Sequence, residues 1–191
     1  MVKEDDFNKL FDSNPKVKYA MVKEYKKIAQ ENPLELYPLL DKFVSLLDNE
    51  NNVIKWTSIN IIGLLAKVDS DNKIDPLLSK LYKQLNCGKM ITVNHIIECL
   101  INISLAKPEY KDKTVKELLK IQNYEYDTDE CKNIIYGKIL EAFDKIVENI
   151  NKNKDAKVFV EEQSHNARNS VKKKAEKLLK KINKGTPKVV K

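Results

Sequence analysis

Residues 54–66 read Ile54-Lys55-Trp56-Thr57-Ser58-Ile59-Asn60-Ile61-Ile62-Gly63-Leu64-Leu65-Ala66. The apolar and small residues of this stretch fall three or four positions apart, at Ile54, Ser58, Ile61, Ile62 and Leu65. Side chains with this spacing lie on one face of an α-helix, because the helix makes one turn every 3.6 residues. The stretch therefore predicts an amphipathic helix that buries one face.

The same spacing recurs four more times, displaced by 37, 38, 40 and 39 residues from one copy to the next. The matching positions are Val17, Met21, Tyr25 and Ile28; Thr92, Ile96, Cys99, Leu100 and Ile103; Lys132, Tyr136, Ile139, Leu140 and Phe143; and Val171, Ala175, Leu178, Leu179 and Ile182. A constant period of this length is typical of helical repeat proteins, in which each unit is one supersecondary element.

A second helix is predicted after each of the first copies. The segment 38–43, Pro-Leu-Leu-Asp-Lys-Phe, aligns with the segment 76–81, Pro-Leu-Leu-Ser-Lys-Leu, 38 residues later. The third copy, around Val115 and Leu118, lacks this proline, and the fourth, at 158–160, departs furthest from the pattern. The repeating unit is therefore interpreted as a pair of helices.

Residues that cap helix starts precede several copies. Asn14, Asn51 and Asp129 each lie three positions before the first residue of a template copy, and Asp75 stands directly before Pro76. Asn and Asp side chains accept hydrogen bonds from the free N–H groups of a first helical turn, and proline is favoured at the first helical position. These residues are predicted to be N-caps.

Composition agrees with an all-α class. The chain of 191 residues is 42% hydrophobic and 33% charged, with only four glycines and six prolines. Sheet proteins need tight turns at short intervals and use more glycine in them. The three cysteines, Cys87, Cys99 and Cys131, form no CxxC pair, which favours reduced thiols and a cytoplasmic location.

The stretch 54–66 resembles the first helix of a HEAT repeat, with a hydrophobic–basic pair, small residues and an apolar end that contains glycine. Val171-Lys172 begins the next best match, whereas Thr92-Val93 and Lys132-Asn133 depart from the pair. The resemblance covers about residues 13–184.

This resemblance implies a right-handed α-α superhelix of about five helix pairs, the armadillo-type fold, whose second helices line the inner surface. The expected units are 13–49, 50–86, 87–126, 127–166 and 167–184, within a single domain of residues 1–184. Phe7, Leu10 and Phe11 are expected to cap the first pair, and the basic tail 185–191 is expected to be disordered.

Residues suited to catalysis are scarce, so no catalytic, cofactor or metal site is expected. His95 and His165 are the only histidines, and neither has the neighbours of a zinc site. Glycine-rich phosphate loops are absent from the sequence. A HEAT-like alkylpurine DNA glycosylase would need several aromatic and basic residues around its substrate, but Trp56 is the only tryptophan and Arg168 the only arginine. Core packing is the favoured interpretation of Trp56.

Positive charge is concentrated at the C-terminal end of the sequence. Residues 167–191 contain ten basic residues and one acid, whereas the other residues contain 25 basic and 27 acidic ones. The basic face predicted there consists of Lys172, Lys173, Lys174, Lys177, Lys180 and Lys181. Such a helix is interpreted either as a polar cap of the array or as a contact for nucleic acid or an anionic membrane surface.

Lysines also occupy polar positions of the predicted second helices. They are Lys42, Lys80, Lys83, Lys116 and Lys120. If these side chains are more than solvated charges, they form a groove that becomes basic towards the third unit. The sequence therefore predicts a non-enzymatic scaffold that binds a protein or peptide partner through its second helices; a nucleic-acid-binding protein that uses the C-terminal helix is the alternative.

Overall fold

The computed structural model describes residues 4–184, and within this range every regular element is helical. The predicted all-α class is therefore confirmed. The chain divides into two compact units, Met1–Ser79 and Lys80–Lys191, which are described separately. The single domain expected for residues 1–184 stays a prediction, and the tail 185–191 lies outside the described residues.

The first unit contains helices joined by short turns and 3-10 segments. Its α-helices are α1 (Glu4–Asn8), α2 (Pro15–Glu31), α3 (Pro33–Leu36), α4 (Leu40–Ser45) and α5 (Asn52–Leu65), and α6 (Leu78–Gln84) begins at its end. Its 3-10 segments are Lys9–Phe11, Tyr37–Leu39, Ala66–Val68 and Asp75–Leu77.

The second unit continues the alternation of long and short helices. Its α-helices after α6 are α7 (Met90–Ala106), α8 (Lys111–Leu119), α9 (Asp129–Lys145), α10 (Val147–Lys152), α11 (Lys154–Gln163) and α12 (Asn169–Lys184). Its 3-10 segments are Pro108–Tyr110 and Lys120–Asn123.

The five template copies coincide with the long helices α2, α5, α7, α9 and α12. All five template positions of α5 are buried. Burial on α2 is narrower, because Val22, Tyr25 and Ala29 are buried while Val17 and Met21 are half-buried. The apolar period thus located the five long helices, α2, α5, α7, α9 and α12.

The second helices are less regular than the sequence predicted. Pro38 and Pro76 lie inside 3-10 segments, and the unpredicted Pro108 begins a third. Proline has no N–H to donate, and its ring crowds the carbonyl of the preceding turn. The chain therefore forms a short 3-10 segment at each of these prolines before the next α-helix begins. The degenerate stretch at 158–160 lies within α11, where Phe159 and Val160 are buried.

Two of the four predicted caps are confirmed. Asn14 accepts a hydrogen bond from the N–H of Lys16, and Asn51 accepts one from the N–H of Val53, each at 3.0 Å. The prediction for Asp129 is wrong: Thr128 has the extended backbone of an N-cap and accepts from the N–H of Cys131 at 3.1 Å. Asp129 instead lies in the first turn, where its charge complements the helix dipole.

The prediction for Asp75 is also wrong. This residue lies inside the 3-10 segment Asp75–Leu77, and Ile74 occupies the preceding cap position without a side-chain hydrogen bond. The segment begins one residue earlier than the proline suggested, so Asp75 lies in its first turn, where a negative charge is favourable.

Aromatic side chains of α1, α2 and α4 form a cluster in the first unit. The rings of Phe7 and Phe43 meet edge to face with centroids 5.3 Å apart, and Tyr25 meets Phe43 at 5.6 Å. Burial, followed by the charge of Asp6, raises the pKa of Tyr25 to about 12. Phe7 and Leu10 are buried as expected, but the expectation for Phe11 is only partly met because that side chain is 46% exposed.

Asp69 fixes the loop that follows α5. Its carboxylate accepts hydrogen bonds from the hydroxyl of Tyr37 at 2.7 Å and from the N–H groups of Lys73 and Ile74 at 3.0 and 3.1 Å. Burial and then the hydrogen bond to Asp69 raise the pKa of Tyr37 to about 12. One buried side chain therefore joins the loop to the segment that contains Tyr37.

In the second unit, first helices pack against first helices, and second helices pack both against second helices and against first helices. Helix α7 contacts α8 and α9, α9 contacts α12, and α8 contacts α10 and α11. Helices α9 and α12 approach each other at Gly137, where an added Cβ would lie 3.4 Å from Cγ2 of Val171 and 3.5 Å from Nζ of Lys174.

Polar side-chain contacts between distant residues follow the repeat period in both units. In the first unit they join Tyr37 to Asp69, Lys67 to Gln30, and Lys73 to Asp41. In the second unit they join Tyr82 to Thr114, Tyr126 to Leu85, Lys138 to Glu98, Asn149 to Asp112, Asn166 to Asn133, and Lys181 to Asp144. These pairs are 32 to 41 residues apart in sequence, so each contact links positions about one repeat apart.

We expect Asp69→Ala to lower the free energy of unfolding by about 2 kcal/mol, because it leaves the buried N–H of Ile74 without its acceptor. Urea denaturation followed by circular dichroism measures the change. Glu50→Ala removes an exposed carboxylate of the same unit and should change stability by less than about 0.5 kcal/mol. Equal effects of the two substitutions would contradict the assigned role of Asp69.

We expect Gly137→Ala to be tolerated and to stabilise the protein by about 0.5–1 kcal/mol, because the new Cβ makes ordinary contacts and alanine favours the helix. Gly137→Leu should instead destabilise by about 1–3 kcal/mol, because the larger side chain must displace α12. Thermal denaturation compares the two. A leucine variant as stable as the alanine variant would show that α12 does not pack closely on this part of α9.

Candidate functional site

The structure brings four of the five predicted second-helix lysines into the same unit. Lys80 and Lys83 lie on α6, Lys116 lies on α8, and Lys120 begins the 3-10 segment that follows. Lys42 belongs to the first unit, where its Nζ lies 5.5 Å from the centroid of the Phe7 ring. Lys42 therefore packs over the aromatic cluster, and its proposed place in a common binding surface stays a prediction.

A buried chain of hydroxyl groups holds α6, α7 and α8 together beneath these lysines. The hydroxyls of Tyr82 and Thr114 are 3.0 Å apart, and Ser104 donates to Thr114 at 2.8 Å. Burial raises the pKa of Tyr82 above its ordinary value, although the hydrogen bond with Thr114 opposes this shift. Because buried polar groups are costly unless paired, this chain fixes how the three helices meet.

Three lysines of α6 and α8 are exposed, and we call Lys83, Lys113 and Lys116 the second-helix lysine surface. The ammonium group of Lys113 lies 5.3 Å from the centroid of the Tyr82 ring, which places the start of α8 beside α6. No carboxylate within the described part of the chain pairs with Lys83 or Lys116. Lys120, in contrast, pairs with Glu117 at 2.8 Å.

Lys113 was not among the predicted site residues. It lies three positions before Lys116 and seven before Lys120, so all three share one helical face. The spacing was visible in the sequence, but the position of Lys113 over Tyr82 required the fold.

The six lysines predicted to form one basic face of α12 do not behave alike. Lys174 pairs with Glu141 and Lys181 with Asp144, each at 2.6 Å, and both acids lie on α9. Arg168, just before α12, pairs with Glu130. Carboxylates one repeat earlier in the sequence therefore neutralise part of the predicted basic face.

The remaining lysines of α12 form no ion pair with α9 among the described residues. Lys173, Lys177, Lys180 and Lys184 are exposed and lie four, three and four residues apart, and we call them the α12 lysine stripe. Lys172 is also exposed, beside the stripe. Lys184 was not predicted as a site residue, although its spacing from Lys180 would have indicated it.

A shallow cavity of about 190 Å³ opens between α9 and α12. Its lining residues are Leu140, Glu141, Asp144, Lys174 and Lys177. Two of the charged groups, Lys174 and Glu141, pair with each other, so the cavity presents mixed charge rather than one sign. Its charged groups serve mainly to hold the two helices together.

A row of alternating charges crosses three first helices of the second unit. Lys138 on α9 lies 2.9 Å from Glu98 on α7 and 3.7 Å from Glu141, which pairs with Lys174 on α12. Burial alone would raise the pKa of Glu98, but the hydrogen bond and the charge of Lys138 outweigh burial and lower that pKa below its ordinary value. The row ties neighbouring repeats together on their first-helix side.

The residues considered for chemistry do not assemble into a site. His95 is half-buried on α7, as expected, and His165 is exposed. Cys99 is buried, also as expected. Trp56 is half-buried on α5, so its predicted core packing is met in part. No group of three or more His, Cys, Asp or Glu side chains is placed to hold a metal ion within residues 4–184.

Comparison with known proteins leaves the chain without a match: no protein-family model, no curated protein and no solved structure matches it. Among the described helices, none is long and apolar enough to cross a membrane. The cytoplasmic location inferred from the cysteines stays a prediction.

We expect Lys138→Met to weaken the pH dependence of stability in acid. Because the folded pKa of Glu98 is lowered, its contribution to stability is present above its unfolded pKa and is lost as the pH falls through the folded value. Removing Lys138 removes most of this contribution. The difference between the urea midpoints at about pH 6 and about pH 3 should therefore be smaller in the variant than in wild type.

The matched control is Lys152→Met, which removes an exposed lysine of α10 and the same net charge. If both variants changed the acid dependence equally, the effect would belong to net charge and not to the pair of Lys138 with Glu98.

Proposed function

We propose that this chain is a HEAT-like repeat protein that acts as a non-enzymatic scaffold and binds an acidic segment of a protein partner. The binding site is the second-helix lysine surface, Lys83, Lys113 and Lys116. The observation that carries the proposal is that these cations are exposed on α6 and α8, which meet where Lys113 lies over Tyr82, and that Lys83 and Lys116 contact no carboxylate of the described residues.

The repeat part of the proposal is supported by the spacing of contacts. Long first helices begin at Pro15, Asn52, Met90, Asp129 and Asn169. Each is followed, except the last, by shorter helices that precede the next long one. Within each unit, polar side chains reach partners about one repeat away. Stacked helix pairs that contact only their neighbours have this organisation.

The choice of the second helices rests on how charge is distributed over the second unit. On the first helices, lysines such as Lys138, Lys174 and Lys181 pair with carboxylates of the adjacent first helix. On α6 and α8, Lys83 and Lys116 keep their charge available. Exposed cations without an ion-pair partner attract a segment of opposite charge and raise the rate of encounter.

A binding role without catalysis follows from the kind of groups on this surface. Lysine ammonium groups on exposed helices supply flexible point charges, which suit carboxylates presented by an acidic peptide. General acid–base catalysis would instead need titratable groups whose pKa is shifted towards neutrality in a desolvated cleft. The second-helix lysine surface carries cations on two helices that a buried hydroxyl chain holds rigidly, as a preorganised binding surface requires.

The test uses the double variant Lys83→Glu/Lys116→Glu of the full chain and a fluorescein-labelled poly-L-glutamate peptide. Fluorescence anisotropy at low ionic strength should show binding by wild type and a loss of about tenfold or more in the variant, because two attractive charges become repulsive. Both side chains are exposed, so far-UV circular dichroism should not change.

The matched control is Lys23→Glu/Lys27→Glu, which makes the same charge change on exposed positions of α2. We expect this control to bind the peptide within about twofold of wild type. An equal loss in both variants would mean that only net charge matters. No binding by wild type would overturn the proposal for acidic partners.

A further inference from the structure

The α12 lysine stripe is the most uniform charged feature of the second unit. Lys173, Lys177, Lys180 and Lys184 follow one side of the helix, and the opposite side buries Val171, Ala175, Leu178 and Ile182. The one acid of α12, Glu176, is three residues from Lys173 and four from Lys180, so it borders the stripe. Glu141 and Asp144 of α9 pair with Lys174 and Lys181, and Lys177 lines the cavity beside these acids without an ion pair of its own.

We propose that the α12 lysine stripe binds the phosphate backbone of double-stranded nucleic acid without reading its sequence. From Lys173 to Lys184 the helix rises about 16 Å, at 1.5 Å per residue. The two strands of duplex DNA together carry one negative charge per about 1.7 Å of axis. A row of four flexible ammonium groups of this length therefore faces several phosphates.

The chemistry of α12 favours a duplex over unpaired strands. Proteins that bind single strands stack bases on aromatic side chains, and α12 reads Asn-Ser-Val-Lys-Lys-Lys-Ala-Glu-Lys-Leu-Leu-Lys-Lys-Ile-Asn-Lys, without an aromatic residue. The stripe offers only ammonium groups, which contact phosphates and position a protein on a duplex. Binding should therefore be independent of sequence.

The same helix is poorly suited to a membrane surface. Helices that bind lipid bury an apolar face in the bilayer. The apolar face of α12 is already used inside the protein, because Val171, Ala175, Leu178 and Ile182 are at most 3% exposed and α12 contacts α9, α10 and α11. Only the charges are left for a ligand, and they favour a polyanion.

A polar cap explains the stripe less well than a binding site does. A terminal repeat needs a polar outer face, but charges of either sign provide it. Helix α2 shows the mixed pattern, since its exposed face includes Glu24 and Glu31 beside Lys23 and Lys27. The exposed positions of α12 carry six lysines and one acid, Glu176, an excess of one sign that solubility alone does not require.

The experiment measures binding of fluorescein-labelled duplex DNA and duplex RNA to the full chain over a salt series. For four phosphate contacts, the logarithm of the binding constant should fall with the logarithm of salt with a slope of about −3.6, which is about 100-fold between about 50 mM and about 200 mM. The triple variant Lys173→Gln/Lys177→Gln/Lys180→Gln should lower the slope to about −0.9.

Two further variants separate the stripe from net charge and from folding. Lys16→Gln/Lys23→Gln/Lys27→Gln removes the same charge from exposed positions of α2 and should keep the wild-type slope. Replacing the three stripe lysines by arginine keeps the charge and should restore binding. The second-helix variant Lys83→Glu/Lys116→Glu should keep a steep slope, so this result is independent of the scaffold proposal.

Three outcomes would overturn the inference. One is that wild type binds neither duplex at low salt, where phosphate contacts are strongest. Another is that the α2 variant loses as much affinity as the stripe variant. The third is that vesicles containing phosphatidylserine bind the stripe while both duplexes do not, which would assign the stripe to a lipid surface. Binding to only one of the two duplexes would support the inference and would show whether the stripe binds the phosphates of RNA or of DNA.

Discussion

A helix pair of this chain has more apolar surface than it can bury by itself, and this constraint determines the rest of the structure. On α5 and α7, buried residues occupy most of the circumference, including Ile59 and Ile62 on one helix and Ile97 and Ile101 on the other. A helix that is apolar on several sides must be covered by several neighbours. Contacts one repeat away provide this cover, and they repeat along each unit.

The same spacing organises the surface charge. Lysines on first helices meet acids of the neighbouring first helix, as Lys138 meets Glu98 and Lys181 meets Asp144. Exposed pairs of this kind contribute little to stability one by one, but they decide which lysines keep a free charge. Positive charge is left on α6 and α8 and along the outer side of α12, and these are the two surfaces that suit an acidic partner and a phosphate backbone.

The sequence predicted most of what depends on local chemistry. The apolar period located the five long helices, and Asn14 and Asn51 marked two of their starts. The sequence did not predict the 3-10 segments, because a proline restricts one turn but does not determine where the following α-helix begins. Nor did it predict that Lys174 and Lys181 are neutralised, since their partners lie 33 and 37 residues away in the sequence and meet them only after α9 and α12 pack. For the candidate residues, the sequence predicted which helix each one occupies but not which of them form ion pairs.

Neighbouring repeats contact each other at one repeat spacing, and a zero-length carbodiimide cross-linker can detect these contacts in solution. This reagent joins an amine to a carboxylate only when the two groups touch, and mass spectrometry then identifies the pairs. We expect cross-links of Lys73 to Asp41, Lys138 to Glu98 and Lys181 to Asp144, whose charged atoms lie within 2.9 Å. Absence of these three products, with dominant cross-links inside either unit between residues two or more repeats apart, would show that the repeats do not pack at this spacing.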